Sequence, residues 1–327
     1  MSYQLDENFV KGQPQIASLR KSFGHTLAEL AKQDERIVAL SADLSSSVGL
    51  GEFAESMGAR YIEVGIAEQN LVSVASGLAH MGKIPFAASY AVFNPGRNWE
   101  QIRTTICLNN QPVKIVGSHA GLNVGPDGAS HQMLEDIALT QVLPNMVVLA
   151  PGDAIEAQKM AKLMVDDQRP NYIRLPRADL PTFSTIDDPL EISKAYLLRQ
   201  DDNPVVTIIS TGSMTGNALL ASGQLFKQGI GTEVVHAPTI KPLDRETILA
   251  SVGRTSITVV IEEHQVIGGL GSTVASLILE SDVRPTKFRR IGVQDKFGQS
   301  GTADQLWRYY GLDVDSIVNN IKSLLDN

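Results

Sequence analysis

The sequence predicts an α/β protein of two domains, each a mostly parallel sheet flanked by helices, and three observations carry that expectation. Short β-rich runs alternate with helical patterns along most of the 327 residues, the order that builds parallel sheets covered by helices. The alternation weakens between about Asp179 and Asn203, in LPTFSTIDDPLEI and RQDDNP, two stretches rich in Pro, Asp, Ser and Thr that read as a domain boundary. With 43% hydrophobic and 20% charged residues, a chain of this length can bury ordinary globular cores. The expected layout is a first domain over 12–182, a linker over 183–202 and a smaller α/β domain over 203–327.

In the first domain RIVALSA and YIEVG read as strands, followed by a helix from about Ala67, a strand IPFAAS and a helix near Trp99 to Leu108. PVKIVGS and MVVLAP continue the strand series. Pro151 and Gly152 then break the chain, and Asp153 is placed to cap the helix that follows before NYIRLP closes the domain. In the second domain the order is PVVTIISTG, a helix over Asn217 to Gln228, TEVVHA, a helix after Pro242, SITVVIEEH, a helix from about Ser272, and TKFRRIGV. No short-period repeat or low-complexity tract interrupts this order, which sets aside solenoids and disorder.

Composition narrows the functional classes. The formal net charge is −8 and the basic residues are scattered among acids, so there is no footprint for nucleic acid. The N-terminus MSYQLDENF lacks the basic end and apolar core of a signal peptide, and no window approaches the ~18 apolar residues that span a bilayer. A soluble, cytoplasmic protein without a membrane partner is expected. The single cysteine, Cys107, excludes an internal disulfide and a Cys-pair zinc site, and its neighbours in RTTICL suggest a buried filler.

The densest chemistry lies in GSHAGLNVGPDGASHQ, Gly117 to Gln132, where two histidines and an aspartate are set among four glycines. Glycine admits positive φ and close approach of a ligand at an entropic cost that an ordinary connection has no reason to bear. The loop follows a buried-strand pattern, which puts His119, Asp127 and His131 at the carboxyl edge of a sheet, where open α/β sheets bind ligands. His119 and His131 stand twelve positions apart with no third ligand at a recognisable spacing, a poor metal pattern. In a polar loop they suit hydrogen bonding and proton transfer to an oxygen-rich substrate. Glu68 follows a strand and a glycine at a helix start. It is either a first-turn acid favoured by the helix dipole or, if Val64, Ile66, Leu71 and Val72 desolvate it, a carboxyl able to hold or share a proton near neutrality. Tyr90 and Phe93 read as core aromatics or as a ring-stacking platform. Arg20 and Arg177 are surface charges, or phosphate clamps if the fold unites them.

Taken together, ALSADL, EVGIAEQN, SYAVF, SHAGLNVGPDGASHQ and YIRLPR occur in the order and approximate spacing of the pyrimidine-binding half of thiamine diphosphate-dependent transketolases. IEEHQVIGGLGS and FGQSG near Phe297 resemble that family's C-terminal domain, and the likeness covers roughly residues 15 to 325. The resemblance implies that Glu68 hydrogen-bonds N1′ of the cofactor's aminopyrimidine, that Phe93 stacks on that ring with Tyr90 beside it, and that Asp43 lies near the thiazolium. It further implies that His131 and Asp127 contact the sugar hydroxyls, His131 near the carbonyl carbon, and that Arg20, Ser47, His119 and Arg177 bind a phosphate, hence sugar phosphates as substrates. Glu68 and His131 are thereby the catalytic pair.

The GDG motif and paired asparagines with which transketolases hold the diphosphate through Mg²⁺ have no counterpart here. GDA at Gly152 opens a helix, and Asn109 and Asn110 precede it. The resemblance therefore implies a partner subunit that carries the diphosphate and Mg²⁺ or Ca²⁺, in an α2β2 assembly. The expected activity is transfer of a two-carbon glycolyl unit from a ketose phosphate to an aldose phosphate, the chemistry of pentose phosphate metabolism, with no metal ligands in this chain. The β subunit of a 2-oxo acid dehydrogenase shares the fold and the glutamate but has no use for the DGASHQ loop or both phosphate arginines. Deoxyxylulose phosphate synthase, another relative, normally keeps both cofactor domains in one chain. A non-catalytic scaffold would need none of Glu68, Phe93, His131 and Arg177.

Overall fold

The computed structural model describes residues 3–326. Seven strands of the first half and its borders are, in chain order, β1 (Ile16–Ala17), β2 (Ile37–Ser41), β3 (Tyr61–Glu63), β4 (Ile84–Tyr90), β5 (Lys114–Ser118), β6 (Val147–Leu149) and β7 (Asn171–Arg174). They are followed by β8 (Leu180–Pro181), β9 (Tyr196–Gln200), β10 (Val206–Ser210), β11 (Thr232–His236), β12 (Thr239–Lys241), β13 (Ile257–Gln265) and β14 (Lys287–Val293). The first sheet has the order β12-β6-β7-β5-β4-β2-β3, parallel throughout except where β12 joins β6. The second has the order β14-β13-β10-β11-β9, parallel except for β9 against β11. A short antiparallel pair, β1 with β8, ties the start of the first half to its end.

The continuous apolar runs that marked these strands are buried on both faces, as helix-covered parallel sheets require: every residue of β2, β5, β10 and β11 is buried. On one side of the first sheet, Phe23, Leu27 and Ala31 of the helix Leu19–Gln33 pack with Phe86 and Met160. On the other, Leu71, Val72 and Ala75 of the helix Glu68–His80 pack with Ile102 and Ile115. No helix among the described residues is long and apolar enough to cross a membrane.

Several expectations meet a different structure. The segment 183–202, read as a linker, ends in β9, which pairs with β11 as an edge of the second sheet, and Phe183 and Ser184 at its start are fully buried. Strand β12, from the second half, completes the first sheet. The helix placed near Trp99 to Leu108 is α-helical only over Trp99–Gln101 and then widens into a π-helical stretch, Ile102–Cys107. The helix placed from about Ser272 starts earlier, at Leu270, because the buried carboxylate of Glu262 accepts the first N–H groups, from Leu270 at 2.7 Å and Gly271 at 2.9 Å. Asp153 caps its helix as expected, accepting from the N–H of Glu156 at 2.9 Å. Cys107 is buried, which pushes its thiol up to about 11.

Candidate active site

The carboxyl ends of five neighbouring strands of the first sheet, in the spatial order β7-β5-β4-β2-β3, carry nearly all of the singled-out residues. Arg177 follows β7, His119 follows β5, Tyr90 ends β4, Asp43 follows β2 and Glu68 follows β3. This is the edge at which the sequence placed the ligand.

Glu68 is the first residue of its helix and only 1% exposed. Of the residues expected to desolvate it, Leu71 and Val72 are themselves fully buried, whereas Ile66 is exposed. The carboxylate is not alone: Arg97 Nη1 donates to Oε2 at 2.7 Å. The same guanidinium lies over the Phe93 ring, 4.7 Å from its centroid, a cation–π contact. Asn98 Nδ2 donates to the main-chain oxygen of Glu68 at 2.9 Å and to Asn94 Oδ1 at 3.0 Å. Asn94 in turn donates to Ala87 O at 2.9 Å, inside the sheet. Arg97, Asn94 and Asn98 do not stand out in the sequence, where NPGRNW reads as a simple break. The available signal was the spacing of Arg97, one helical turn after Phe93, and the Arg97 N–H does close that turn on Phe93 O at 2.9 Å.

Phe93 and Tyr90 form a platform with the two loop histidines. Their rings are nearly parallel at 6.2 Å, Tyr90 stacks on His119 at 3.9 Å, and His131 presents an edge to Phe93 at 5.8 Å. His119 sits at φ 55, the left-handed region that costs a non-glycine residue energy and is met at binding sites. It is 4% exposed, and its Nδ1 is paired with Ser118 Oγ at 2.9 Å. Burial, then the nearby charges of Arg20, Arg177 and His131, push its imidazole down to about 3. His119 is therefore neutral at physiological pH, and the positive charge of this corner comes from the arginines. His131 is half-buried, with Nδ1 at 3.0 Å from Ser130 Oγ.

Arg20 and Arg177 are brought together, as a phosphate clamp requires. Arg20 Nη2 donates to Arg177 O at 2.8 Å and Nη1 to Ser47 O, so Ser47 enters the site through its carbonyl. Burial lowers Arg20 from the ordinary arginine value, opposed by Asp179 and Tyr90. Arg177 Nη1 donates to Val124 O and lies 3.9 Å from Asp127 Oδ1. Asp127 and Asp43 are exposed. Asp43 stands at φ 60 and is held through its main-chain N–H, which donates to Glu63 Oε1 at 2.7 Å, leaving its side chain outward. The edge thus presents a buried carboxylate beside aromatic rings at one end and the linked Arg20 and Arg177 at the other. That donor set suits an aminopyrimidine at the first and a terminal anion at the second.

Comparison with known proteins finds matches over both halves of the chain. The family model described as transketolase, pyrimidine binding domain, matches residues 15–182, and that described as transketolase, C-terminal domain, matches residues 194–317. A putative transketolase C-terminal section of Methanocaldococcus jannaschii is 43% identical over 305 residues, 93% of this chain and 95% of that protein. A 6-deoxy-6-sulfo-D-fructose transketolase subunit of a Clostridium species is 39% identical over 300 residues, 92% of each chain. Among solved structures, a split gene transketolase described as an inactive beta4 tetramer superposes with a TM-score of 0.86 at 41% identity, covering 94% of this chain and 98% of that one.

Proposed function

This chain belongs to the transketolase family, and from that premise we propose that it is the pyrimidine-binding subunit of a split, thiamine diphosphate-dependent transketolase. The observation that carries the reading is the single sheet edge on which the buried Glu68 and the Phe93 ring stand next to the Arg20–Arg177 pair. A scaffold would have no reason to bury a carboxylate at one end of that edge and to converge two cations at the other. Glu68 and Phe93 would hold the aminopyrimidine, with Tyr90 behind the ring. When bound, thiamine diphosphate supplies the carbon nucleophile for moving a two-carbon glycolyl unit from a ketose phosphate to an aldose phosphate.

The chain's own part is to bind, orient and move protons. Glu68, desolvated at a helix start, holds its hydrogen bond in one direction. His131, standing over the platform edge, donates to the sugar oxygens. Arg20 and Arg177 clamp the terminal phosphate, while His119 adds a neutral donor beside them. Mg²⁺ and the diphosphate fall to a partner subunit in an α2β2 assembly. This part of the reading is supported by relatives of nearly the same length, of which the chain covers 92% and more. A relative that acts on a sulfonated fructose favours a second reading of the arginine pair, in which the clamped group is a sulfonate.

The test is to combine the chain with a diphosphate-binding partner and supply ribose 5-phosphate with a ketose phosphate, a ketose sulfonate or a 2-oxo acid plus electron acceptor. Glycolyl transfer from the phosphate is expected. Turnover only of the 2-oxo acid, or full activity of the chain without a partner, would overturn the proposal.

A further inference from the structure

Glu263 belongs to β13 of the second half, yet its carboxylate enters the base of the 117–132 loop, where it is 1% exposed. Oε1 accepts the main-chain N–H of Asn123 at 2.8 Å and the indole N–H of Trp307 at 2.8 Å. Oε2 accepts Asn123 Nδ2 at 2.9 Å and the hydroxyl of Ser213 at 2.5 Å. All four contacts are donated to it, so the place demands a group that only accepts. Nor is there space for anything more: at Gly121, φ +90, a Cβ would come within 2.7 Å of the Glu263 carboxyl carbon.

This arrangement settles which way the Asn123 amide points. Its Nδ2 serves Glu263 and the Ala120 carbonyl at 2.9 Å, which turns Oδ1 toward the main-chain N–H groups of Arg177 at 2.6 Å and Ala178 at 3.2 Å. Asn123 is itself 3% exposed. A buried, charge-assisted chain of hydrogen bonds therefore runs from Trp307 and Ser213 through Glu263 and Asn123 to the backbone that carries the Arg177 guanidinium. Arg174, buried, donates to Glu263 O at 2.7 Å and sets a positive charge beside the carboxylate.

We propose that Glu263 is a positioning residue for the anion site: through Asn123 it fixes where Arg177 presents its guanidinium. The second half thereby tunes recognition of the sugar's terminal phosphate without touching it. The inference rests on the reading of Arg177 as a phosphate ligand.

The experiment compares KM and kcat of the complex with its partner subunit for a phosphorylated ketose donor and for the same ketose without phosphate. Glu263→Gln keeps the shape but sets an amide N–H₂ among donors. It is expected to raise KM for the phosphorylated donor about tenfold, with kcat within about twofold and KM for the unphosphorylated donor unchanged. Trp307→Phe removes one of the four donors and is expected to move the same ratio about threefold. Hydrogen exchange on the chain alone should speed up at residues 120–125 and 177–178 and nowhere else. An unaltered donor ratio in folded Glu263→Gln, or an equal loss for both donors, overturns the positioning role. If Glu263→Gln does not fold, Trp307→Phe and Ser213→Ala decide by the same criterion. A wild-type complex that handles both donors alike overturns the phosphate reading itself, a result distinct from a wild-type preference that survives the substitutions.

Discussion

The carboxyl edge of the first sheet carries groups left partly open, whereas the corresponding edge of the second sheet, along β10, β11 and β13, carries polar groups that are mostly buried and paired. On the first, Arg177 and Asp127 keep 39% and 40% of their side-chain surface and Arg97 keeps 49%. On the second, His236 at the end of β11 is fully buried between Glu156 Oε2 at 2.9 Å and Thr215 Oγ1 at 2.8 Å. Glu262 caps a helix and Glu263 holds the loop of the other half. One strand–helix grammar thus serves two ends. An edge whose polar groups retain solvent can exchange water for a ligand, while an edge whose polar groups are saturated acts as a joint.

The comparison breaks if substitutions on the two edges have the same consequence. On the first edge, Glu68→Ala in the complex with its partner should cost a hundredfold or more in turnover, as loss of one preorganised polar group commonly does, while assembly and unfolding midpoint stay near wild type. Turnover close to normal would remove Glu68 from the chemistry. Against the second edge, Glu156→Ala in the helix Ala154–Asp166 of the first half strips the partner from His236, from Tyr3 at 2.8 Å and from the Gly152 N–H at 2.7 Å. Full burial alone would raise the Glu156 carboxyl, but His236 and these donors hold it below the ordinary carboxylate value. Breaking such a buried pair costs about 3 kcal/mol, read as a lower urea midpoint with KM unchanged. Equal stability with altered KM would make the second edge part of the substrate site.

The difference between the edges also decides what was legible in the sequence. Local patterns carry the strands, the Asp153 cap and the glycine-rich loop, because each depends on neighbours within a few residues. The pairing of Arg20 with Arg177 was accessible only as a condition on the fold, since 157 positions separate them. Strands β9 and β12 escaped because YLLRQ and TIK are short, partly charged edge strands whose existence depends on a distant partner. Glu263 gave no signal of its own: in IEEHQ it reads as one of two acids ending a strand, and only the folded chain brings it to Asn123, 140 residues away. Arg97 likewise has meaning only beside Glu68.

His119 sharpens the comparison, since like Glu68 it is a first-edge group whose burial matches the second edge. Its folded value of about 3 lies below the ordinary histidine value of 6.5, so between those limits the unfolded chain binds the extra proton. Stability should consequently fall as pH drops from 6.5 toward 3, by up to about 1.4 kcal/mol per pH unit from this one group, and be independent of it above 6.5. Urea titrations of wild type and His119→Gln across that range isolate the contribution as a difference in slope. Parallel curves would mean that the imidazole titrates in the folded protein and shares the charge of the anion site.

The smallest expected effect tests whether the open edge is tuned as well as open. Arg97 occupies both features proposed to receive the aminopyrimidine, the Oε2 atom of Glu68 and the face of Phe93, and it is half exposed, so withdrawing it to solvent costs little. An exposed partner in an ion pair contributes up to ~1 kcal/mol. Arg97→Ala should accordingly tighten thiamine diphosphate binding to the assembled complex by about fivefold, measured as a Kd by tryptophan fluorescence, because the cofactor no longer displaces a guanidinium. Weaker binding would reverse the assignment and make Arg97 a holder of the cofactor. The direction of that change therefore says whether the ion pair at Glu68 opposes the ligand or belongs to its pocket.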